Sequence, residues 1–247
     1  MATQANPPGA AQAGAVIVVG VGPGLGAALV RRFAQGGHAV AMVARSPEFM
    51  DELASEVKAA GGTALAITAD VGDAGQIAKA FDTVRSKLGA PEVLLYNAGS
   101  GKWGTITEIT PEQYENSWRT NAYGAFVCAK QAVPDMIAKR RGVILFTGAT
   151  AGIKAGPMSA AFGPAKFAVR GLAQSLARDL GPRGIHVAYI NVDGIIDIPH
   201  IRTRMPSLKD EDLLQPAAIA ESYWHLANQD PSAWTQELDV RPFKEKF

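Results

Sequence analysis

A doubly wound α/β domain, one parallel sheet covered by helices on both faces, is the fold class that this sequence predicts. Short apolar runs alternate with longer helical patterns almost from end to end, as in repeating βα units. The runs are rich in β-branched residues and apolar on both sides, as strands buried on two faces are. With 247 residues, 47% of them hydrophobic and 19% charged, the chain is long enough to bury a full core and too apolar for a long disordered protein.

In chain order, strands are expected at Ala15 to Gly20, His38 to Ala44, Thr63 to Ala69, Glu92 to Tyr96, Val143 to Thr147 and Ile185 to Ile190. Helical patterns lie between them at about Gly24 to Gln35, Pro47 to Ala60, Ala74 to Leu88, Pro111 to Lys139 and Ser159 to Leu180, which makes right-handed crossovers onto both faces. Pro216 to Asn228 then reads as a helix and Glu237 to Val240 as a last edge strand. Met1 to Gln12, rich in Ala, Pro, Gly and Gln, reads as a flexible tail; no Pro/Ser-rich linker or repeat divides residues 13–247, which are expected to form one domain. The segment Asp193 to Gln215 carries neither pattern. It follows a late strand at the carboxyl edge of the sheet, where open α/β sheets bind ligands, and is the candidate substrate lid.

A formal charge of +1, from 24 Lys and Arg against 23 Asp and Glu, provides no global field for a nucleic-acid backbone or an anionic membrane surface. No apolar run approaches the ~18 residues of a membrane-spanning helix, and the start has no basic segment before an apolar one. A cytoplasmic location is expected. The one cysteine, Cys128, excludes an intramolecular disulfide and fits a reducing compartment; its apolar helical setting makes it a small buried hydrophobe rather than a reactive thiol. His38 and His186 show no ligand spacing, so no metal is expected.

Directly after the first strand comes Gly20-Val21-Gly22-Pro23-Gly24-Leu25-Gly26, opening an amphipathic helix. Gly20 suits the tight turn, Gly24 a backbone close to a pyrophosphate and Gly26 close helix packing, while the helix start supplies free N–H groups. Its place between strand and helix points to dinucleotide binding. At the end of the second strand stand Arg45 and Ser46, where an acid reading the ribose 2′-hydroxyl would mark NAD. A guanidinium pairs with a 2′-phosphate and accepts no hydroxyl proton, so NADP(H) is favoured over NAD(H).

Together with Asp70-Val71 after the third strand, Asn97-Ala98-Gly99 after the fourth, Asn121 and Lys166, these residues make the chain resemble the classical short-chain dehydrogenase/reductase family over nearly its whole length. Gly20, Gly24 and Gly26 are similar to its GxxxGxG pattern, and Asn97-Ala98-Gly99 to its Asn-Ala-Gly motif. The resemblance implies a Rossmann-type fold, a nicotinamide cofactor, a small-molecule substrate, and a homodimer or homotetramer built through the two long helices. It implies hydride transfer served by an Asn, Ser, Tyr and Lys tetrad. In that tetrad the phenol protonates the developing alkoxide and the serine polarises the same oxygen. The lysine binds the nicotinamide ribose and lowers the phenol pKa, and the asparagine holds a water.

Asn121 and Lys166 match this tetrad, but Phe162 stands four residues before Lys166, where the tyrosine belongs, and Ala149 stands at the serine position. Neither can donate a proton. Val19, Asp193-Gly194 and Ile198 depart from the family's Thr, Pro-Gly and Thr. The pattern is similar to a divergent subgroup with Phe for the active Tyr. Three functions remain open: an NADP(H)-dependent reductase with another proton source, acting on a conjugated C=C or an iminium; a cofactor-binding pseudoenzyme or sensor; and a non-redox enzyme reusing the pocket.

Thr150 is a candidate substitute to polarise an oxygen, or a loop threonine bonding its own backbone; Asp193 is a candidate to position a water, or a turn acid before Gly194. Ser159 reads as a helix N-cap and Tyr123 as core packing. Trp103 is either a pocket wall or a loop anchor. Lys139-Arg140-Arg141 suits a helix C-terminus, and Arg202 and Arg204 form either a solvated loop face or an anion clamp over the cleft.

Overall fold

The computed structural model describes residues 14–245, so the tail expected over Met1 to Gln12 lies outside the described residues. The central strands are β1 (Ala15–Val19), β2 (Ala39–Ala44), β3 (Thr63–Thr68), β4 (Pro91–Tyr96), β5 (Gly142–Thr147) and β6 (Ile185–Val192). With the edge strand Glu237–Val240 they form one seven-stranded sheet, every pairing parallel. The sequence places each strand within two residues.

Helices α1 (Leu25–Gln35) and α2 (Glu48–Ala59) cover one face, α3 (Ala74–Leu88) the other. Alternate strand side chains sort the core into two layers. Val16 and Val18 join Leu29, Phe33 and Leu53 in one, and Ile17 and Val19 join Ile77 and Phe81 in the other. Asp73 caps α3, its carboxylate accepting from the Gly75 and Gln76 N–H groups. The strand order runs β3-β2-β1-β4 and onward, so the winding reverses between β1 and β4 and opens a crevice at their carboxyl ends.

The helix expected over Pro111 to Lys139 is not continuous. It is α4 (Pro111–Trp118), a π-helical turn over Arg119–Tyr123, and α5 (Gly124–Lys139). A Thr110–Gln113 capping box and Pro111 start α4. The wider turn is tied down by the Tyr96 phenol, which donates to the Thr120 carbonyl at 2.5 Å. Gly124 makes room for it, since a Cβ there would lie 2.4 Å from that hydroxyl.

A second correction concerns the next helix. It is α6 (Phe162–Leu180), beginning after Ser159, whose hydroxyl donates to the Gly156 carbonyl and does not cap the helix. Cys128 is fully buried on α5. Arg140 ends α5 in the left-handed region with φ 49°, and Arg141 pairs with Glu92.

The candidate lid holds more structure than its sequence shows. It contains β7 (Ile195–Ile196), α7 (Pro199–Arg204) and β8 (Leu213–Leu214), with β7 and β8 paired in parallel. Arg202 is held within it by Asp197 at 2.6 and 2.7 Å and by Asp210 at 2.6 Å; Arg204 is exposed. From there the chain enters α8 (Pro216–Ala227) and ends the sheet with β9 (Glu237–Val240), both near their expected bounds.

Candidate active site and cofactor cleft

At the carboxyl ends of β1 to β4 lies a cleft of about 640 Å³. Gly20 to Pro23, Arg45, Ser46, Asp70, Val71, Ala98 and Gly99 line it, which brings residues predicted from four separate strand ends into one place. Gly20 turns with φ 90°, and a Cβ on it would lie 2.3 Å from the Ala98 backbone nitrogen. At Gly26 a Cβ would lie 2.5 Å from the Gly20 carbonyl, so this glycine lets α1 start against the turn. The N–H groups of the first turn of α1, around Gly24, Leu25 and Gly26, have no partner carbonyl inside the helix and favour an anion.

Asn97 fastens this turn to β4. Its Nδ2 donates to the Gly20 carbonyl at 2.8 Å, and its backbone N–H to the Val19 carbonyl. Asp70 accepts from the Gly72 N–H and faces the far end of the cleft. Arg45 and Ser46 are exposed, and among the described residues Arg45 makes no ion pair. Asn116, Arg119 and Thr120, which the sequence reading missed, complete the wall; an uninterrupted helix gave no signal for them.

The reactive end lies where β5 and β6 run out. Asn121, fully buried in the π turn, donates through Nδ2 to the carbonyls of Ser100 at 2.7 Å and Ser117 at 2.8 Å. Both partners are acceptors, which fixes the amide orientation and turns Oδ1 inward. That oxygen is buried and has no partner among the described residues. Lys166, only 4% exposed, donates from Nζ to the Thr147 carbonyl at 2.9 Å. A Cβ on Gly99 would stand 3.4 Å from Asn121 Oδ1 and 3.6 Å from Lys166 Nζ, so the two polar groups flank the same glycine. Burial pulls the Lys166 pKa down to about 8.

The other side of this centre is hydrocarbon. The Phe162 ring lies 5.5 Å from Lys166 Nζ, with Trp103 on it at a centroid distance of 5.2 Å. Gly101 presses on the same ring, where a Cβ would fall 2.9 Å from it. Trp103 thus joins Phe162 while staying 58% exposed. Behind Ala149 lies the Tyr189 phenol, admitted because Gly148 and Gly152 have no Cβ, and pushed up to about 12 by burial. Tyr123 is half-buried against the core and Trp118.

Thr150 and Asp193 come together across the ends of β5 and β6, the hydroxyl donating to the carboxylate at 2.6 Å. Asp193 is 4% exposed, with Arg241 at 3.5 Å on its other oxygen. A Cβ on Gly24 would meet the Ile198 methyl at 2.6 Å, so the lid reaches the glycine turn.

A Rossmann-type sheet with a glycine turn, an anion-ready helix start and a buried lysine at the strand ends defines a nicotinamide-dependent class of oxidoreductase. The family model for short chain dehydrogenases matches residues 14–205, and the chain belongs to that family. It is 32% identical over 172 residues to the 3-oxoacyl-(acyl-carrier-protein) reductase FabG of Staphylococcus aureus, covering 69% of this chain and 70% of that one. A short-chain dehydrogenase structure from Rhodopseudomonas palustris superposes with a TM-score of 0.81 at 33% identity, covering 93% of this chain and 99% of that one. A metagenomic short-chain oxidoreductase in complex with NADP also gives 0.81, at 27% identity, covering 93% and 96%.

Proposed function

We propose that the protein binds NADP(H) in preference to NAD(H) and is a reductase whose proton source is not the family's phenol, acting on a conjugated C=C or an iminium. The observation that carries this reading is the asymmetry of the reactive end: Asn121 and Lys166 stand ready on one side, while Phe162 and Ala149 offer only hydrocarbon on the other.

The cleft fits a dinucleotide: Gly20 to Pro23 line it just ahead of α1, whose first N–H groups have no partner carbonyl inside the helix, and Arg45 and Asp70 stand on its wall. Gly20 to Gly26 would hold the pyrophosphate, Arg45 and Ser46 the 2′-phosphate, Asp70 and Val71 the adenine end, and Asn97 to Gly99 the turn beside the adenosine. When bound, the cofactor supplies a hydride. Lys166 has two N–H groups left after Thr147, which suit ribose hydroxyls and a water held by Asn121 Oδ1. A carbonyl reduced here meets no acid, and general acid catalysis contributes about 10²–10⁴-fold. A conjugated alkene spreads its developing charge onto a remote oxygen, and an iminium begins with its charge in place, so both lose less. The Thr150 hydroxyl donates its hydrogen bond to Asp193, which leaves the Thr150 oxygen as an acceptor that would orient a water as the proton source. Thr150 polarises a substrate oxygen only when it releases Asp193.

A second reading, a cofactor-binding sensor, draws on the closure of Gly101 and Trp103 over Phe162. NADPH oxidation measured against ketones, enones, enoyl thioesters and imines separates the two. Turnover of enones or imines with poor turnover of ketones supports the reductase. Ketone turnover at the level of tyrosine-bearing relatives contradicts the role given to Phe162. The double variant Phe162→Tyr, Ala149→Ser is expected to raise ketone reduction by ten-fold or more on the order of the restored acid term. Assembly as a homodimer or homotetramer and a cytoplasmic location complete the reading; among the described residues no helix is long and apolar enough to cross a membrane.

A further inference from the structure

Beneath the cleft runs a buried chain of hydrogen bonds that begins on the far helix α8. The Tyr223 hydroxyl and Thr147 Oγ1 are 2.7 Å apart, and Thr147 Oγ1 donates to Asn97 Oδ1 at 3.2 Å. Thr147 has one proton, and it goes to Asn97, so the phenol is the donor of the first bond. Asn97 Nδ2 in turn donates to the Gly20 carbonyl. All three bonds therefore point the same way, from α8 to the glycine turn. Tyr223 is fully buried and Thr147 is 8% exposed, so the bond between them lies out of solvent. The backbone carbonyl of the same Thr147 accepts from Lys166 Nζ.

We propose that Thr147 is a positioning residue for the dinucleotide: its hydroxyl, oriented by Tyr223, locks Asn97 against the glycine turn while its carbonyl holds Lys166, so one residue sets both halves of the cleft. The inference rests on the dinucleotide reading above. The proton that Thr147 Oγ1 donates fixes which end of the Asn97 amide is oxygen, and the other end, the nitrogen, holds the Gly20 carbonyl. Without it the Asn97 oxygen loses that buried donor and the amide is held by Gly20 at its nitrogen end, which loosens the turn at the pyrophosphate position.

Thr147→Val keeps the β-branched shape and the carbonyl to Lys166 while removing the hydroxyl, and Thr147→Ser restores the hydroxyl. Fluorescence titration with NADPH and with ADP-ribose, done at a temperature where each variant is folded by circular dichroism, reads the effect without turnover. Thr147→Val is expected to weaken both ligands by about three- to ten-fold, the scale of one buried hydrogen bond. Thr147→Ser is expected to stay within about two-fold of the parent, and Tyr223→Phe to fall between. A purely structural role would lower the melting temperature of Thr147→Val and leave both affinities unchanged, which overturns the proposal. If Thr147→Val does not fold, Tyr223→Phe decides, and unchanged affinity there overturns it. A parent protein that binds neither ligand overturns the dinucleotide reading itself, a result distinct from parent and variant binding alike.

Discussion

Lys166 has the most consequential setting of any single residue. Its ammonium is buried against Phe162 and the Thr147 carbonyl, and burial lowers its pKa from 10.5 to about 8. Between these values the unfolded chain holds a proton that the folded chain has released, so this group makes stability rise with pH across that window. Below it the folded state carries the full penalty of about 3 kcal/mol. Urea unfolding of the parent and Lys166→Met at pH 7.5 and at pH 10 checks this: the variant's relative stability is expected to be greater at the lower pH and to shrink by roughly that amount at the higher. A gap that does not change with pH contradicts the assigned burial. That Phe162 and Ala149 stand where the family resemblance implies a Tyr and a Ser was readable from the sequence alone, one letter at each position. The Thr150 to Asp193 bond was not legible, since it joins residues 43 apart through the neighbouring ends of β5 and β6. Ser159 misled for a related reason: a buried hydroxyl found a local carbonyl and left α6 to start without a side-chain cap.

Strands β1, β4 and β6 were readable because both of their faces are buried, so apolar runs mark them. The π turn over Arg119–Tyr123 was not, because one extra residue in a turn hardly disturbs an apolar pattern spread over so many residues. It nevertheless decides where Asn121 points. The turn depends on the Tyr96 phenol reaching Thr120 past Gly124. Gly124→Ala puts a methyl 2.4 Å from that hydroxyl and 2.9 Å from Val71, and is expected to destabilise the fold by about 1–3 kcal/mol as overpacking does. Calorimetry of this variant beside Tyr96→Phe tests the element: both are expected to melt lower, and an unaffected Gly124→Ala means that the turn has room the packing denies. The lid's short strands β7 and β8 escaped the sequence because two-residue strands carry no period at all.

At the scale of the whole molecule, a nearly neutral chain keeps its charges local, with Arg45 on the wall of the cleft and Lys166 buried close to Gly99, which also lines it. Trp118, Phe126 and Phe167 on α4, α5 and α6 are each more than two-fifths exposed, apolar area that suits the homo-oligomer proposed through these helices. Sedimentation velocity is expected to show a dimer or tetramer, shifted toward monomer by Phe126→Asp with Phe167→Asp; a parent monomer at micromolar concentration contradicts the assembly. The doubly wound architecture was legible throughout, since it follows from the alternation of elements. The side chains joining α8 to the cleft were not, because Tyr223 looks like any core aromatic until Thr147 is seen beside it. The proposed function joins a dinucleotide cleft with Arg45 at the 2′-phosphate position to a reactive end where Phe162 stands in place of the family's phenol. Fluorescence titration of the parent and Arg45→Ala with NADPH and NADH tests it most directly. The parent is expected to bind NADPH at least ten-fold more tightly than NADH, about the worth of a charge-assisted pair, and Arg45→Ala to remove this difference while leaving NADH affinity nearly unchanged. Binding of neither nucleotide, or tighter binding of NADH by the parent, would contradict it.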